Sequence, residues 1–374
     1  MLERGMPVLQ ENRVTDMKWR LLDYEEQDPR MNLAIDEAIL RLRREEDLPD
    51  TLRLWRNPSA VVLGCGDDMD LEINLEACQK LGAVVARRAS GGSTMYHDLG
   101  SLNFSIIISE KPFELPRNLP DAYRILYNGV VTALRAVGVE AALDEYGQNV
   151  TVGEKRISEA AQYFLYDTLL FHGAILVDTN IKAIESVLRR RKSALTTIRE
   201  QLGYAPDLNA LKSTLVKSFR AALGIEFLTG ELTESERETA RRLYDIKYKT
   251  EKWTRGREDP ASLKDVLIEV YVAYPPTAKC NEIIARVERV VGDLQRSIEM
   301  RVWMRRKGLD GKGIPPGVLV TQGLKRASKE SIVPAIVVNG EIAFEKRVPS
   351  EDELRAALVK ELGREGRRVS GIHP

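Results

Sequence analysis

Cysteine, net charge and long apolar runs are what this chain has least of. Its 374 residues include three cysteines, Cys65, Cys78 and Cys280, and no two of them form a CxxC pair. So few and so widely spaced cysteines argue against a disulfide framework. No apolar run approaches the roughly 20 residues of a membrane span, and residues 1–5 show no signal-peptide core. We therefore expect a protein of the reducing cytoplasm with no membrane partner.

The balance of charge limits the partners further. The 56 basic and 56 acidic side chains give a formal net charge of zero, so no overall field favours nucleic acid. Charged residues still make up 30% of the chain, with basic blocks at 189–192 and 305–307. In order of preference, such blocks are solvated helix faces, ion-pair networks or docking surfaces. With 43% hydrophobic residues at this length, the chain can form two or three domains with packed cores.

The segment Arg87–Asp98, with the sequence RRASGGSTMYHD, is the most informative motif. It lies between a predicted strand at 82–86 and an apolar stretch that begins at Leu102. Its adjacent arginines, Arg87 and Arg88, are permanently charged, fork-shaped donors that suit a phosphate or a carboxylate. Its glycines let the backbone approach a ligand and present N–H groups. We interpret the loop as a binding site for an anionic acyl or nucleotide ligand, the alternative being a surface hairpin with chance charges.

Helix and strand signals alternate up to about residue 256. Helices are predicted at 32–44, 74–81, 122–137, 206–223 and 233–247, and strands at 52–63, near Val150 and at 171–178. This order suits an α+β domain in which a mixed sheet carries helices on one face.

The loop and four further motifs, in matching order, resemble the lipoate–protein ligase A family. The loop matches the family pattern RRxSGGGxxYHDxGNxNxS. The other motifs are a first helix, the strand before the first site loop, a strand containing His-Gly and a KYxxxxW signature, at residues 31–38, 54–64, 171–176 and 247–253. The resemblance covers about residues 17–256 and implies the mixed-sheet fold of the biotin/lipoate protein ligase superfamily.

The family resemblance implies an ATP-dependent reaction that forms lipoyl-AMP and passes the lipoyl group to a lysine. ATP, Mg²⁺ and lipoate would be the small molecules involved. The acceptor would be a lipoyl domain of the glycine cleavage H type or the 2-oxoacid dehydrogenase E2 type. Complete ligases also carry a small accessory domain or use a separate accessory subunit.

By the same resemblance, the loop and a neighbouring strand would form the lipoyl-AMP pocket. Arg88 would contact the phosphate or the carboxylate, and Tyr96, His97 and Asp98 would close the pocket floor. The residues carried over from the family are Arg87, Arg88, Ser90, Gly91, Gly92, Ser93, Tyr96, His97, Asp98, Asn149, His172 and Gly173.

One segment departs from the family pattern NDxxxxGxKIxGxAQ. The family lysine, which bridges the lipoate carboxylate and the nucleotide phosphate, falls on Arg156, with Lys155 beside it. The Asn-Asp pair becomes Gln148-Asn149, and the family glycine becomes Glu159. Arg156 keeps the charge, but a planar fork does not replace a point charge. If the alignment were shifted by one residue, Lys155 would occupy the catalytic position instead. Such a shift would turn the side chains of this strand to the opposite face of the sheet.

The part after residue 256 resembles a different fold. We expect a linker at 257–264, a small α/β thioredoxin-like domain at 265–364 and a tail at 365–374, with an N-terminal extension at 1–16. A hairpin is predicted around Asn339-Gly340, and residues 333–340 resemble the cis-proline strand of thioredoxins. Thr277 stands where the first cysteine of a CxxC would be, so Cys280 is either a lone redox thiol or a packed helix residue.

Three functions remain open from the sequence. The first is a lipoate–protein ligase or lipoyltransferase, and the second is a protein of the same fold that binds lipoyl groups or lipoyl domains without adenylation. The third is octanoyltransferase or biotin ligase chemistry on the superfamily fold. The intact Arg87–Asp98 loop favours the first, whereas Arg156 and Glu159 favour the second.

Overall fold

The computed structural model describes most of the chain, namely residues 18–46, 48–109, 119–145, 147–165, 168–189, 194–256, 266–273, 276–294, 298–305 and 321–369. The chain divides into two compact units, Met1–Lys249 and Thr250–Pro374. The predicted N-terminal extension and linker lie outside the described residues, as do residues 370–374 and most of both basic blocks.

The first unit combines strands and helices along its whole length. Its strands are β1 (Lys18–Asp23), β2 (Thr51–Trp55), β3 (Ala60–Leu63), β4 (Val84–Arg87), β5 (Met95–His97), β6 (Ser101–Ser109), β7 (Ala142–Leu143), β8 (Asn149–Val152), β9 (Lys155–Leu165), β10 (Thr168–Leu176) and β11 (Glu226–Thr229). Its helices are α1 (Pro29–Glu45), α2 (Met69–Glu72), α3 (Leu75–Lys80), α4 (Leu119–Ala136), α5 (Ile181–Val187), α6 (Ile198–Leu202), α7 (Leu208–Leu223) and α8 (Glu234–Leu243), and a π-helical turn, Tyr244–Tyr248, follows α8.

The predicted helices are confirmed because their start signals are used. The side chains of Asp28, Asn74, Asp207 and Thr233 each accept a hydrogen bond from a backbone N–H of the first turn of α1, α3, α7 and α8. Such N-caps satisfy donors that have no partner within the helix. The long strand β9 was not predicted, since its sequence KRISEAAQYFL lacks a clear alternation.

The described residues of the first unit form two sheets. The large sheet has the strand order β11-β1-β2-β6-β10-β9-β8-β7, and the small sheet has the order β4-β3-β5. Parallel and antiparallel neighbours occur in both, as expected for an α+β fold. The single strand predicted at 52–63 is wrong, because the chain leaves the large sheet at Asn57-Pro58 and re-enters the small one. Proline interrupts a strand by removing a backbone donor.

Helices cover both faces of the large sheet, so the prediction of helices on one face is wrong. One face carries the main apolar core, where Phe104 and Ile106 of β6 meet Tyr127 of α4 and Phe219 of α7. The opposite face is covered by α1, which contacts β6 and β10. A helix so fully surrounded buries polar residues as well, and Asp36 and Glu37 of α1 are both buried.

Lys247 and Tyr248, the first two residues of the KYxxxxW signature, hold α1 in place. Lys247 Nζ lies 3.0 Å from Glu37 Oε2, and the Tyr248 hydroxyl donates to the same oxygen at 2.5 Å. Arg41, one turn along α1, donates to Glu37 Oε1 at 2.6 Å. Burial alone would raise the pKa of Glu37, but Lys247 and Arg41 outweigh burial and hold the pKa far below its ordinary value. The motif therefore supports the helix above the sheet.

The second unit contains one four-stranded sheet and four helices within its described residues. Its elements are α9 (Glu251–Thr254), β12 (Val266–Ala273), α10 (Ala278–Leu294), β13 (Ile298–Arg305), α11 (Gln322–Lys329), β14 (Ala335–Val338), β15 (Glu341–Glu345) and α12 (Glu351–Val369). The strand order is β13-β12-β14-β15, with β12 and β13 parallel and the other pairs antiparallel. The predicted hairpin at Asn339-Gly340 is confirmed, with positive φ at both residues, and the Val333–Pro334 peptide is cis.

Candidate functional site

Two rows of side chains cross the α1 face of the large sheet. Strand register sets side by side the first row, which consists of Arg53, Ser105, His172 and Ala161. The second row, two residues along each strand, consists of Trp55, Asn103, Ala174, Glu159 and Asn149. Residues paired across strands point to one face, and so do residues two apart in a strand. Segments far apart in sequence thus meet on a single surface.

A half-open cavity lies on this surface, and about 310 Å³ of space, part of it open solvent, is free of protein atoms there. Helix α1 and both sheets contribute its apolar lining, which consists of Leu33, Trp55, Val62, Met95, Ala161 and Gly173. Its polar lining consists of Arg88, His97, Asn103 and His172. An apolar cavity with a few polar groups is the usual form of a small-molecule site.

Arg88 is buried and serves the loop that follows it. Its Nη2 donates to the carbonyl oxygens of Gly91 and Ser93 at 2.6 and 2.9 Å, and its Nη1 donates to that of Val62 at 3.1 Å. Its Nε donates to Ser90 Oγ at 2.9 Å. None of these partners is a carboxylate, so the guanidinium keeps its full charge beside the cavity. The loop geometry therefore depends on Arg88, and most of its donors are already used before any anion arrives.

Arg87 points into the neighbouring loop and does not line the cavity. It is fully buried, and its Nη1 donates to the carbonyl oxygens of Gly64 and Asp67 at 2.6 and 2.8 Å. Adjacent residues on a strand face opposite sides, which is why the two arginines organise different loops. Of the two arginines predicted to bind the ligand, Arg88 lines the cavity and Arg87 does not.

Asp36, His172 and Ser90 form a chain of hydrogen bonds that ends at Arg88. Asp36 Oδ2 lies 3.2 Å from His172 Nδ1, and Ser90 Oγ lies 2.6 Å from His172 Nε2. Asp36 is itself held by Arg53 Nη1 at 2.7 Å and by the Ser105 hydroxyl at 2.7 Å. Burial alone would raise the pKa of Asp36, but Arg53 and His172 outweigh burial and keep the pKa below its ordinary value.

The hydrogen-bonded series Asp36–His172–Ser90 has the residue types of a catalytic Asp-His-Ser triad. Its geometry does not suit a nucleophilic serine. Ser90 is fully buried, and its oxygen already accepts a hydrogen bond from Arg88 Nε. A nucleophilic hydroxyl must reach its substrate. The ionised Asp36 instead orients His172, which orients Ser90 and, through it, Arg88. Asp36 and Arg53 were missed from the sequence because the packing of α1 on the sheet brings Asp36 to the site and strand register brings Arg53 there.

His97 lies at the cavity with a defined tautomer. Its Nδ1 lies 3.0 Å from Asn57 Nδ2. Burial, then the charges of Arg88 and His172, lower the pKa of His97 to about 3, so the ring is neutral near pH 7. Because the Asn57 amide donates to Nδ1, the ring proton resides on Nε2. Nε2 has no hydrogen-bond partner among the described residues.

Tyr96 and Asp98, the two other residues predicted at the pocket floor, flank His97 but do not line the cavity. Tyr96 is paired with Val61 and faces the small core beneath the three-stranded sheet. Alternation along β5 sends His97 to the opposite side. Asp98 Oδ1 accepts from Gly100 N at 2.9 Å and its Oδ2 from Asn180 N at 3.0 Å, which closes a turn.

The small residues of the loop allow two backbones to approach closely. A Cβ on Gly64 would lie 2.2 Å from the Gly92 carbonyl oxygen, and Gly92 has a φ of +87°. Gly91 and Gly92 are exposed, and Ser93, in place of a third family glycine, is half-buried. Gly173 packs equally tightly, since a Cβ there would lie 2.4 Å from the Glu159 carbonyl oxygen.

Arg156 is paired with Glu159 on its own strand. Arg156 Nη1 lies 2.6 Å from Glu159 Oε1, with side chains 15% and 19% exposed. Glu159 and Asn149 are neighbours in the second row, and Asn149 Nδ2 donates to Asp144 Oδ2 at 2.6 Å. Lys155 is exposed and neighbours Val152. The two departures from the family pattern therefore compensate each other's charge, and Lys155 does not line the cavity.

The cysteines show no activated nucleophile at the cavity. Burial raises the pKa of the Cys65 thiol despite the nearby Arg88 and Arg87, which keeps it protonated and weakly nucleophilic at neutral pH. Cys280, in the second unit, is 1% exposed and accepts a hydrogen bond from the Thr277 hydroxyl at 3.2 Å. Burial alone would raise the pKa of Cys280, but the hydrogen bonds with the Thr277 side chain and with the backbone of Ala273 and Thr277 together outweigh burial and lower the pKa. Cys280 therefore has the packed position that was the alternative to a redox thiol.

Two features are absent from the described part of the chain. No group of three or more His, Cys, Asp and Glu side chains is placed to hold a metal ion there. No helix there is both long enough and apolar enough to cross a bilayer.

Known proteins match the part of the chain that carries this site. The profile of the lipoyl protein ligase A/B catalytic domain matches residues 28–220. Lipoate-protein ligase A subunit 1 of Thermoplasma acidophilum is 33% identical over 261 residues, which cover 64% of this chain and 97% of that protein. Octanoyltransferase LipM of Clostridioides difficile is 26% identical over 271 residues, which cover 64% of this chain and 99% of that protein.

Solved structures agree with these relatives. A lipoate-protein ligase A bound with ATP is similar with a TM-score of 0.60 and 31% identity, over 64% of this chain and 99% of that one. A bipartite lipoate protein ligase, studied with its E2 lipoyl domain from Thermoplasma acidophilum, is similar with a TM-score of 0.58 and 30% identity, over 64% and 97%. The sequence profile spans just over half of the chain, and the chain therefore belongs to the lipoyl protein ligase A/B catalytic-domain family, in the biotin/lipoate ligase superfamily.

Proposed function

We propose that this protein attaches lipoate to a lysine of an acceptor lipoyl domain, with lipoyl-AMP as the activated intermediate. The observation that carries the proposal is the apolar cavity beside Arg88, a buried cation whose hydrogen-bond partners among the described residues are carbonyl oxygens and the Ser90 hydroxyl. A ligand that joins an apolar tail to an anionic head fits this arrangement. At ~0.8 kcal/mol per buried CH₂, a tail of roughly seven methylenes contributes several kcal/mol before entropic losses.

The proposed reaction has two steps. In activation, a carboxylate oxygen of lipoate bonds to the α-phosphorus of ATP, and the bond to the β-phosphate breaks to release pyrophosphate. In transfer, the lysine nitrogen bonds to the acyl carbon, the bond between that carbon and the AMP oxygen breaks, and the amine proton passes to solvent. The residues present contribute fixed positive charge at Arg88 and a scaffold that holds its loop.

The small-molecule and protein partners follow from this reaction and from the relatives. ATP and lipoate are the proposed substrates, and Mg²⁺ would bind chiefly to the nucleotide phosphates, as it does where few protein carboxylates are available. A lipoyl domain of the E2 or glycine cleavage H type is the proposed acceptor. Since one relative is named as a ligase subunit, we include a separate accessory subunit in the proposal.

A second function is supported by the Arg156–Glu159 ion pair. An arginine whose charge is compensated by a neighbouring carboxylate is a weaker bridge between two anions than a free lysine. The protein would then bind lipoyl groups or lipoyl domains, or transfer a preformed acyl-adenylate, without activating lipoate itself.

Intact-mass measurement of an acceptor domain separates these functions. The purified full chain is incubated with the acceptor and either lipoate, ATP and Mg²⁺, or preformed lipoyl-AMP. Modification in both arms supports the ligase, and modification only with lipoyl-AMP supports a transferase that cannot activate lipoate. No modification in either arm, with lipoate binding retained in calorimetry, would leave the binding function and refute the enzyme.

A matched set of variants tests the activation step. The double change Arg156→Lys with Glu159→Gly restores the family pattern and should raise pyrophosphate release ~10-fold or more, because the freed lysine can bridge both anions. Arg156→Lys alone should gain less, since Glu159 still pairs with the lysine. Lys155→Ala is the control. A loss of activity in Lys155→Ala, with no gain in the double variant, would favour the shifted alignment.

We also propose the domain organisation expected from the sequence, with a thioredoxin-like module at 265–364. Its supporting observations are the strand order β13-β12-β14-β15 and the helices between these strands. The buried Cys280 argues for a structural module in place of a redox one. A location in the cytoplasm remains an expectation, which fractionation of cells that express the full chain would test.

A further inference from the structure

We infer that Asn103 and His97 form a subsite that selects an acyl tail bearing sulfur, as in a dithiolane ring, over a hydrocarbon tail. The inference rests on the proposed function, since it concerns the acyl group bound in the same cavity. It bears on the relatives, because both a lipoate ligase and an octanoyltransferase are similar to this chain. It also names residues to which the sequence motifs assigned no such task.

Asn103 is a buried amide without a partner. It lies on the second row between Trp55 and Ala174, lines the cavity and is 1% exposed. Neither its Nδ2 nor its Oδ1 has a hydrogen-bond partner in the described part of the protein. Buried amides are normally hydrogen-bonded, and an exception calls for an explanation. A ligand atom at this end of the cavity supplies one.

His97 adds a second unpartnered group to the same cavity. Asn57 fixes its tautomer, so an N–H donor on Nε2 faces the site without a partner among the described residues. The ring stands edge-on to Trp55, with centroids 6.3 Å apart, and Trp55 is the row neighbour of Asn103. The two polar groups and the indole therefore belong to one region of the cavity.

The other polar groups of the cavity are already committed. Both ring nitrogens of His172 have partners, Asp36 and Ser90. Arg88 holds the loop carbonyls and faces the anionic head in the proposed reaction. Polar atoms in the tail of a ligand would therefore meet Asn103 and His97.

Sulfur fits these neighbours better than hydrocarbon does. A sulfur atom is a weak hydrogen-bond acceptor and makes favourable contacts with aromatic rings. A dithiolane can accept from the His97 N–H and the Asn103 amide while it packs on Trp55. A hydrocarbon tail would exclude water from both groups and leave them unpaired, which we expect to weaken binding by ~10-fold.

The test compares ligands of the same shape on the full chain. Calorimetry measures binding of lipoic acid, octanoic acid and cyclopentyl-pentanoic acid, which replaces both sulfur atoms of the ring by carbon. We expect lipoic acid to bind ~10-fold more tightly than the carbocyclic acid. Equal affinity for these two acids would overturn the inference without any mutation.

Variants locate the effect. Asn103→Leu should reduce the preference for lipoic acid over octanoic acid to about a third or less of its original ratio, and Asn103→Ala provides a smaller change in case the first disturbs folding. Asn209→Leu, the same substitution at an exposed position of α7, should leave the ratio unchanged. An unaltered ratio in folded Asn103 variants would also overturn the inference. Failure of lysine modification in every assay, with the binding preference intact, would refute the proposed function and leave the subsite standing.

Discussion

Lowering the pH from 7 to 5 should destabilise the unaltered protein by about 2 kcal/mol more than a His97→Asn variant. The folded protein holds the pKa of His97 at about 3, through burial first and then the charges of Arg88 and His172. An unfolded chain has an ordinary histidine pKa of about 6.5. Between these values the unfolded state binds a proton that the folded state rejects. The stabilising contribution is therefore complete above pH 6.5 and is lost as the pH falls towards 3.

The magnitude follows from linkage at this one residue. Over the window the free energy of unfolding falls by ~1.4 kcal/mol per pH unit, and about one and a half units of that window lie above pH 5. Asparagine is the matched replacement because its side-chain oxygen can accept the Asn57 amide as Nδ1 does. The difference between the two proteins cancels the titration of other groups.

Urea unfolding at several pH values measures this difference. The unfolding is followed by pulsed hydrogen exchange, measured on peptides that contain β6. These peptides belong to the unit that contains His97, so the second unit does not contribute to the signal. The expected result is a steeper pH dependence in the unaltered protein. Parallel pH profiles for both proteins would show that His97 titrates normally, and the assigned tautomer would then lose its basis.

Two further predictions concern the support of the cavity. Asp36→Asn should destabilise the protein by ~3 kcal/mol, because the buried Arg53 loses its charged partner. Urea unfolding measures this loss, with Ser105→Ala as the milder comparison. Equal losses of stability in both variants would contradict the ion-pair argument. Gly64→Ala should lower the free energy of unfolding by ~1–3 kcal/mol, because the added carbon forces two backbone segments apart. Gly91→Ala, with no atom within 4 Å of the added carbon, should melt close to the original temperature. Similar melting temperatures for the two variants would contradict the close approach at Gly64.

Local signals were sufficient for the longer helices and for the hairpin of this fold, but not for every strand. Capping residues such as Asp28 and Thr233 marked helix starts, and Asn339-Gly340 marked a hairpin, because these structures depend on residues adjacent in sequence. The break between β2 and β3 was missed although Pro58 signalled it, since both halves are apolar enough to read as one strand. β9 was missed because its burial comes from neighbours on two strands and not from its own alternation.

The candidate site shows the same division. Of the residues that the loop motif singles out, Arg88 and His97 line the cavity, and Ser90 is hydrogen-bonded to Arg88. It could not show that Tyr96 faces a different core, because the facing of a short strand is set by its partner. Nor could it show that Glu159 pairs with Arg156. In the proposed reaction, this ion pair would reduce the positive charge that Arg156 offers to the two anions.

Taken by itself, the sequence determined the family, the longer helices of the first unit and the loop beside which the cavity forms. The tertiary structure alone decided that Asp36, Arg53 and Asn103 join His172 on one surface. The physical reason is strand register: hydrogen bonding between β2, β6, β10 and β9 aligns residues more than a hundred positions apart. No local sequence pattern specifies that alignment. Turns and helix caps, in contrast, are specified by the residues that form them.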